Sequence, residues 1–457
     1  MNFSRRSFMA VTALGGTGLV SGCATTTPRR VCSPNARLQH ACVGVGGMGG
    51  VDLSHFLGNP DVQVVALCDV DRNILDAAAK QAPGARLYTD WREMLAAEGD
   101  RVDSVNVAVP DHMHAAIELP ALRSGKHVYG QKPLAHDVTE CRALARAARK
   151  AGVVTQLGTQ AASGNGDRAA VRFLREGVIG RIKRVILFSN RPGAEGYRLA
   201  GPRPAQGSPA PGNLSWDLWL GTAPERSFSP GIYHPGIWRC WLDFGTGWSG
   251  DIGCHIFDAV WKGLGLTAPR TVKAEVQESW VASPERRADV WPQANHITWV
   301  FPGNALTAGA DLMVEWMDGG YLPEGDLQEL MKSGRIDAAS YEGSLVLGTE
   351  GAMMLPNGSG PILLPHEKFA GVARPNPKGP DHYERFVIAC RGGEMTESHF
   401  EQTGPMAEAI LRGTVAARVP GTVLQWDARR MRIPNSDEAQ RLLRRTYRPG
   451  WDVDLGV

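Results

Sequence analysis

The chain has 457 residues and a formal net charge of +2, and its charged residues (21%) and apolar residues (43%) occur at ordinary globular frequencies. This length exceeds what one compact core supports, so we expect two domains. The near-neutral charge, without a basic stripe interleaved with aromatic residues, excludes a typical nucleic-acid-binding surface, and no internal apolar run is long enough to span a bilayer.

The N-terminus carries the pattern of an export signal. Ser4-Arg5-Arg6-Ser7-Phe8-Met9 opens a twin-arginine motif, and a weakly apolar stretch follows it. That stretch ends in Val20-Ser21-Gly22-Cys23, which resembles a bacterial lipobox in which Cys23 becomes the lipidated first residue. We expect residues 1–35 to be a leader and tether, and the protein to be periplasmic or lipid-anchored at the cell envelope. The alternative is a disordered tail with two chance arginines.

Apolar strands alternate with helices from residue 36 to residue 157. We predict strands at Gln39–Val45, Val62–Cys68, Ser104–Val109, His127–Tyr129 and Val153–Leu157, and helices at Gly50–Leu57, Leu75–Gln81, Trp91–Ala97, His114–Ser124 and Asp137–Ala151. Such alternation implies parallel crossovers and a doubly wound sheet, so this part is predicted to be an α/β domain of the Rossmann type.

The alternation of predicted strands and helices ends after residue 157, and we assign residues 158–457 to a second domain. Its predicted strands are Arg184–Asn190, Thr271–Trp280, His296–Phe301, Ala305–Leu312 and Ser344–Gly348, and its closing helices are Pro380–Arg391 and Gly404–Val415. The strands alternate apolar and polar residues, which is typical of an antiparallel sheet with one solvated face. We therefore expect an α+β domain with a large, mostly antiparallel, open-faced sheet.

A dinucleotide-binding motif lies at the end of the first predicted strand. Gly44-Val45-Gly46-Gly47-Met48-Gly49 meets the Gly-x-Gly-x-x-Gly pattern between a strand and a helix. Glycines there let the backbone approach a pyrophosphate, whose charge is met by N–H groups at the helix N-terminus. Asp69 ends the second strand, where a carboxylate accepts hydrogen bonds from ribose hydroxyls and repels a 2′-phosphate. NAD is thus favoured over NADP, although Arg72 keeps NADP open as the alternative.

Three motifs together resemble the Gfo/Idh/MocA oxidoreductases. The first motif is the glycine loop. The second consists of two segments, Val109-Pro110-Asp111-His112-Met113-His114 and Gln131-Lys132-Pro133. The third is Gly250-Asp251-Ile252-Gly253-Cys254-His255. The family's usual tripeptide is Glu-Lys-Pro, so this chain departs from it at Gln131. The third motif looks like the family's Asp-x-x-x-His helix. The resemblance extends from Arg37 to the C-terminus.

This resemblance implies roles for individual residues. Lys132 stands at the carboxyl edge of the predicted sheet, where its ammonium would hold a nicotinamide ribose hydroxyl and the reacting substrate hydroxyl. His255 would be the general base, and Asp251, one helical turn earlier, would bind an adjacent hydroxyl or orient the group. Pro110, His114 and Gln131 would line the cofactor site, and His114 is equally well a helix-start residue. Without the rest of the pattern, an Asp–His pair is usually a surface ion pair or a cap.

A carbohydrate site is indicated by aromatic residues before the Asp251 helix. Ten of the 13 tryptophans fall between Trp216 and Trp316. Among them, Tyr233, His234, Trp238 and Arg239 combine flat rings with hydroxyl-binding groups, so we predict that they contact a sugar. Many of the other tryptophans are expected in the core. The eight cysteines are scattered without metal-ligand spacing, and we expect no metal.

The function predicted from these sites is NAD-dependent hydride transfer on a sugar, glycoside or cyclitol. Export removes the protein from the cytoplasmic NAD pool, so the cofactor is expected to be tightly bound and regenerated in place. Two outcomes stay open: paired oxidation and reduction, as in glucose-fructose oxidoreductase, or glycoside hydrolysis through transient oxidation at C3. A non-catalytic sugar- or nucleotide-binding protein is a further alternative. Family members with such sheets commonly form homodimers or homotetramers.

Overall fold

The structure is a computed structural model, and it describes residues 37–191, 201–335, 337 and 341–456. The predicted leader, lipobox and tether lie outside the described residues. In the part of the chain that the structure describes, no helix is both long and apolar enough to cross a membrane. The same part contains no group of three or more His, Cys, Asp or Glu side chains that is arranged to hold a metal ion.

The first sheet has six parallel strands within the described residues, and their order is β3-β2-β1-β4-β5-β6. The strands are β1 Leu38–Val43, β2 Val62–Cys68, β3 Arg86–Tyr88, β4 Ser104–Val107, β5 His127–Gly130 and β6 Thr155–Leu157. The predicted Rossmann fold is confirmed. Strand β3 was not predicted, because it has three residues and two of them are exposed, which gives no apolar pattern. The order reverses between β1 and β4, and ligands of such sheets bind at that reversal.

Helices cover both faces of this sheet. They are α1 Met48–Gly58, α2 Arg72–Ala79, α3 Trp91–Glu98, α4 His114–Arg123 and α5 Val138–Ala151. Caps fix several of their starts: Asp71 and Asp90 accept from the backbone at the starts of α2 and α3. Asp137 and Glu140 form a reciprocal capping box at α5, and Gly152 ends this helix in the left-handed conformation.

The second sheet has eight strands in the described residues, ordered β13-β12-β11-β7-β10-β9-β8-β14. They are β7 Ile182–Ser189, β8 Thr271–Val276, β9 Asn295–Pro302, β10 Asp311–Asp318, β11 Glu342–Gly348, β12 Ala352–Pro356, β13 Ile362–Leu364 and β14 Leu424–Gln425. Strands β7 and β10 run parallel, and the other neighbouring pairs are antiparallel, as predicted for most of the sheet.

Two predicted strands of this sheet had wrong bounds. The segment Ala305–Leu312 is mostly a turn, and the strand there is β10. Asn304 causes the turn, because its side-chain oxygen accepts from the Leu306 N–H while its own N–H donates to the Thr307 hydroxyl. The predicted strand Thr271–Trp280 ends at Val276, and a short helix begins two residues later.

The helices of the second domain pack on its sheet and against the first domain, and all of them except α11 lie away from the outer face. They are α6 Asn165–Arg175, α7 Trp216–Leu220, α8 Gly247–Leu264, α9 Glu278–Val281, α10 Pro284–Asp289, α11 Asp326–Ser333, α12 His382–Cys390, α13 Phe400–Arg418 and α14 Asp437–Arg441. Helix α13 contacts α5 of the first domain, α8 and the sheet, so it joins the two domains through one core. Helix α8 lies between α6, α13 and the sheet, and almost all of its residues are buried.

The outer face of the second sheet is open along only part of its width. Val185 and Leu187 of β7 join the main core, whereas the alternate residues Ile186 and Phe188 point to the opposite face. There they form a second core with Met331 of α11, which is fully buried. The prediction of an open face is therefore wrong for the β7–β13 half. Over β8–β10 the outer face is partly accessible: Glu275 and Met313 are exposed, whereas Glu315 is buried and binds Arg184 and His296.

A buried ion pair holds the C-terminal segment against the first domain. Glu140 is fully buried, and its carboxylate accepts from the Arg445 guanidinium at 2.8 Å and from the Tyr447 hydroxyl at 2.9 Å. Arg445 also donates to the Thr222 hydroxyl and to the carbonyl of His112, in the loop that follows β4. This arginine thus links α5, the second domain and the loop at the sheet edge.

We predict that Arg445→Ala lowers the free energy of unfolding by about 3–5 kcal/mol, because it leaves the buried Glu140 without a cation. Urea unfolding followed by far-UV circular dichroism measures this loss. Arg444→Ala is the matched control: its exposed side chain belongs to no ion pair of the described residues, and we expect a change within about 0.5 kcal/mol. Equal effects of the two substitutions would contradict the assignment.

Candidate active site

The glycine loop after β1 is shaped by three different constraints. Gly44 has a φ of 77°, and a Cβ on it would collide with the Ala108 carbonyl. A Cβ on Gly49 would collide with the Gly44 carbonyl, so Gly49 permits close packing of α1 on β1. Gly47 has a φ of 52°, yet nothing lies within 4 Å of its missing Cβ. Gly47 lies at the N-terminus of α1 and lines a cavity, which is the position where a pyrophosphate would be expected.

A cavity of about 380 Å³ runs along the carboxyl edge of the first sheet and under residues 234–239 of the second domain. Many of the residues predicted from sequence line it: Gly44, Gly46, Gly47, Met48, Asp69, Pro110, Gln131, Lys132, His234, Trp238 and Arg239. The lining does not include the predicted residues Gly49, His114, Tyr233, Asp251 and His255, although all five are among the described residues. The glycine loop and Lys132 therefore lie along one continuous groove.

Asp69 fixes the geometry of the ribose end of this groove. One carboxylate oxygen accepts from the Val45 N–H and the other from the Asp71 N–H, both at 2.9 Å. Each oxygen keeps a second lone pair that can accept from a ribose hydroxyl. Burial raises the pKa of Asp69, against the lowering effect of these two backbone hydrogen bonds. The carboxylate thus ties the glycine loop to β2 and faces the cavity.

Lys132, Asp251 and His255 come together across the domain boundary. The Lys132 ammonium donates to Asp251 Oδ1 at 2.9 Å, and Asp251 is only 3% exposed. His255 lies one turn further along α8 and is half-buried. Burial and the Lys132 charge lower the pKa of His255 to about 3, against a raising effect of Asp251. At neutral pH the imidazole is therefore uncharged.

Asp111 is a buried acidic group of this site to which no role was assigned from the sequence. It lies in the loop after β4, and its Oδ2 accepts from the backbone N–H and the hydroxyl of Thr246, immediately before α8. Burial and the Asp251 charge raise the pKa of Asp111, against the lowering effects of Arg239 and Lys132. Asp111 thus anchors the start of α8 to the first domain, beside the Lys132–Asp251 pair.

His114 does not line the cavity. Its Nδ1 lies 2.6 Å from the Pro133 carbonyl and its Nε2 lies 2.8 Å from the Val109 carbonyl, so both ring nitrogens contact backbone. The ring is fully buried and connects the loop after β4 with the loop after β5. The structure therefore places His114 beneath the groove as a connection between two loops, and its position agrees with the helix-start alternative, because α4 begins at this residue.

The predicted substrate residues separate into two groups. His234, Trp238 and Arg239 line the cavity, and the Arg239 guanidinium stacks on the Trp238 ring at 4.3 Å. Tyr233 is only 2% exposed and packs among aromatic rings, including Trp216 and Phe244. The sequence could not separate adjacent residues of one aromatic run, because their orientation depends on how the segment folds back on the first domain.

Sequence reasoning missed the far end of the groove. Ile74, Thr89, Trp91 and Trp219 line it without belonging to any motif. The Trp91 ring is half-buried, and its indole N–H is buried without a hydrogen-bond partner among the described residues. No sequence signal marked Thr89 and Trp91, because the short strand that precedes them has no apolar pattern.

Two family models match the chain. The model described as "Oxidoreductase family, NAD-binding Rossmann fold" matches residues 38–159, and "Oxidoreductase family, C-terminal alpha/beta domain" matches residues 172–299. Together they cover more than half of the sequence. The first match contains the glycine loop and Lys132, and the second contains Asp251 and His255.

Curated relatives carry both oxidoreductase and glycosidase names. A glycosyl hydrolase family 109 protein from Shewanella pealeana is 23% identical over 206 residues, which are 40% of this chain and 45% of the relative. A D-apiose dehydrogenase from Paraburkholderia graminis is 29% identical over 170 residues, 37% of this chain and 43% of the relative. The chain thus spans less than half of the length of these relatives.

Solved structures share the fold at lower sequence identity. The WlbA dehydrogenase from Bordetella pertussis, solved in complex with NADH and UDP-GlcNAcA, superposes with a TM-score of 0.56. The match covers 86% of this chain and 99% of that chain at 15% identity. It shows that both domains are arranged in a fold already seen in a dehydrogenase.

We predict that Gly47→Ala weakens NAD binding at least tenfold, because Gly47 lines the cavity at the start of α1 and a methyl group there would narrow the expected pyrophosphate site. Gly99→Ala is a matched control: Gly47 has φ 52° and ψ −121°, Gly99 has φ 46° and ψ −123°, and nothing lies within 4 Å of either Cβ position. Both variants should lose about 1–3 kcal/mol of stability through backbone strain. Calorimetric titration with NAD separates them, and unchanged affinity in Gly47→Ala would contradict the cradle.

Proposed function

Because this chain belongs to the Gfo/Idh/MocA family of oxidoreductases, we propose that it transfers hydride between NAD and a carbon of a sugar, glycoside or cyclitol. The observation that carries this proposal is the ion pair between Lys132 and Asp251, at one end of a groove that begins at the glycine loop. An ammonium in that position lowers the cost of negative charge on a reacting oxygen.

The role that we propose for each residue follows from the contacts of its side chain. NAD, when bound, supplies the hydride acceptor at nicotinamide C4. Lys132 binds the substrate hydroxyl and a ribose hydroxyl, and Asp251 holds its ammonium in place. His255 takes the hydroxyl proton as the carbon–oxygen bond becomes a carbonyl, a role that requires the neutral imidazole. Trp238 and Arg239 would contact the sugar ring and its hydroxyls.

We propose NAD in preference to NADP as the cofactor. Asp69 accepts two backbone hydrogen bonds at the ribose end, and its remaining lone pairs suit ribose hydroxyls. A 2′-phosphate would meet this carboxylate at close range, which costs free energy through repulsion between like charges. The solved WlbA dehydrogenase that shares the fold contains NADH.

Contacts around Asp71 favour a tightly held cofactor. Its carboxylate accepts from the Asn213 side chain at 2.8 Å and contacts His234 Nε2 at 3.1 Å. The Arg72 N–H donates to the Asn213 carbonyl, and the Ser215 N–H donates to the Val70 carbonyl. We name residues 213–239 the clasp, because they close over the groove from the second domain. Release of a bound dinucleotide would require these contacts to open.

Net glycoside hydrolysis is the second candidate function, because several curated relatives are named glycosyl hydrolase family 109 proteins. This chemistry needs a base for the sugar C2 proton in addition to the hydride shuttle. Tyr233 is buried among aromatic rings and does not line the cavity, whereas His234 does. His234 is therefore the better candidate for that base.

We further propose that the protein is exported through the twin-arginine route and anchored through Cys23, on the strength of the motifs in residues 4–9 and 20–23. The same proposal extends to assembly as a homodimer or homotetramer. In that case the accessible β8–β10 part of the outer face is the surface for the contact, since α11 covers the other half.

The first test identifies the net reaction. The purified protein is denatured with acid and the supernatant is examined for NAD; the native protein is then incubated with para-nitrophenyl glycosides and with free sugars, without added cofactor. Released NAD together with a lactone or keto-sugar product supports oxidoreduction. Nitrophenol release supports hydrolysis. A protein that neither contains nor binds NAD would contradict both functions.

We predict that Lys132→Ala slows hydride transfer about 10²–10⁴-fold, because the charge at the reacting oxygen is lost. Stopped-flow absorbance at the nicotinamide band measures this rate. Lys183→Ala removes an exposed lysine of β7 and should leave the rate unchanged. If Lys132→Ala kept the native rate while binding NAD normally, Lys132 would have no catalytic role.

We also predict that opening the clasp accelerates cofactor release. His234→Ala and Asn213→Ala each remove one contact with the Asp71 carboxylate, and each should increase the NADH dissociation rate about tenfold, which corresponds to about 1.4 kcal/mol per contact. Competition with excess NAD, followed by NADH fluorescence, gives the rate. The control Asn376→Ala breaks an exposed hydrogen bond with Asn165 far from the groove. Unchanged dissociation in both clasp variants would refute a clasp that retains the cofactor.

A further inference from the structure

The residue before the reactive lysine contacts a buried carboxylate on a different element. Gln131 is 4% exposed, and its side-chain Nε2 lies 2.9 Å from both carboxylate oxygens of Asp52. Asp52 lies on α1, one turn after Gly49, and is fully buried. The Tyr383 hydroxyl of α12 donates to the same carboxylate at 2.8 Å. A carboxylate in this environment needs every hydrogen bond that it receives.

The orientation of the Gln131 amide follows from this contact. Only the NH₂ group can donate, so it must face Asp52, and Oε1 must point to the opposite side. There Oε1 accepts from the Lys132 backbone N–H at 3.3 Å and packs against Gly158, which has no room for a Cβ. The amide therefore connects α1 directly to the backbone of the lysine.

From these contacts we propose that Asp52 is a positioning residue for Lys132 and acts through Gln131. The proposal rests on the role of Lys132 proposed above. The family's usual glutamate before the lysine would bring a second carboxylate against Asp52, and two carboxylates at this distance cannot both stay ionised. In this chain the carboxylate of the pair lies on α1, and the neutral Gln131 at the strand end donates to it.

The position of Asp52 gives the arrangement a consequence for cofactor binding. Its helix begins at the glycine loop, so a ligand that orders the N-terminus of α1 also restrains the carboxylate that holds Gln131. Tyr383 belongs to α12 of the second domain, and its ring stacks on two rings of the first domain, Tyr129 at 5.3 Å and His55 at 4.1 Å. It therefore extends the connection across the domain boundary. Occupation of the pyrophosphate cradle and the placement of Lys132 are therefore coupled through one helix.

A charge exchange between the two positions tests the proposal. The variants are Asp52→Asn, Gln131→Glu and the double substitution Asp52→Asn/Gln131→Glu, which moves the carboxylate to the strand end. Asp76→Asn, an exposed carboxylate of α2, is the control. Two readouts do not depend on turnover: NADH affinity from fluorescence titration, and the rate at which pyridoxal 5′-phosphate with borohydride modifies Lys132, quantified by peptide mass spectrometry against Lys183.

We expect Asp52→Asn to increase Lys132 modification three- to tenfold and to weaken NADH binding, because the lysine backbone loses its support. Gln131→Glu should do the same and lower the urea midpoint, and the double variant should return both readouts to within twofold of the native values. Native modification rates in Asp52→Asn, or a double variant no better than Gln131→Glu, would overturn the proposal. If the native chain shows no hydride transfer but the exchange behaves as expected, the positioning role stands and the proposed function fails.

Discussion

The ion pair between Lys132 and Asp251 requires the two domains to keep a single relative position. Lys132 follows strand β5 of the first domain and Asp251 lies on α8 of the second, so their 2.9 Å contact exists only when the domains are docked. A buried carboxylate without its cation costs several kcal/mol, which makes a separated arrangement unfavourable. The core shared by α5 and α13, the Arg445–Glu140 pair and the Asp111–Thr246 contact all serve the same docking.

Three buried carboxyl groups lie on the elements around one lysine in this site. Asp111, Asp251 and Asp52 are all buried within the elements that surround Lys132, and burial raises the pKa of Asp111 and raises that of Asp52 to about 6. Each carboxylate has a separate partner: Thr246 for Asp111, Lys132 for Asp251 and Gln131 for Asp52. The partners keep the acidic groups from competing for the ammonium, which leaves Lys132 in one defined place at the groove.

The sequence predicted the parts of the site that belong to short motifs. The glycine loop and Asp69 could be placed because a strand, a tight turn and a helix follow each other locally. Lys132, Asp251 and His255 were found through the family resemblance. The sequence could not show that Gln131 contacts Asp52, since these residues are 79 positions apart and meet only in the folded sheet. It also could not separate Tyr233 from His234, because the orientation of adjacent residues depends on how the segment folds back on the first domain.

A cofactor held by the clasp would change what is required of the proton acceptor. When oxidised and reduced forms cannot exchange with solvent, every hydride taken from one carbon must return to another, and every proton taken must also be given back. A base with a high pKa would keep its proton and stop the cycle. Burial and the Lys132 charge lower the pKa of His255, so the imidazole without ligands is uncharged at neutral pH, which is the form required for the first of these proton transfers. In the proposed mechanism, the Lys132 ammonium would therefore both bind the reacting hydroxyl and keep His255 in its uncharged, proton-accepting form.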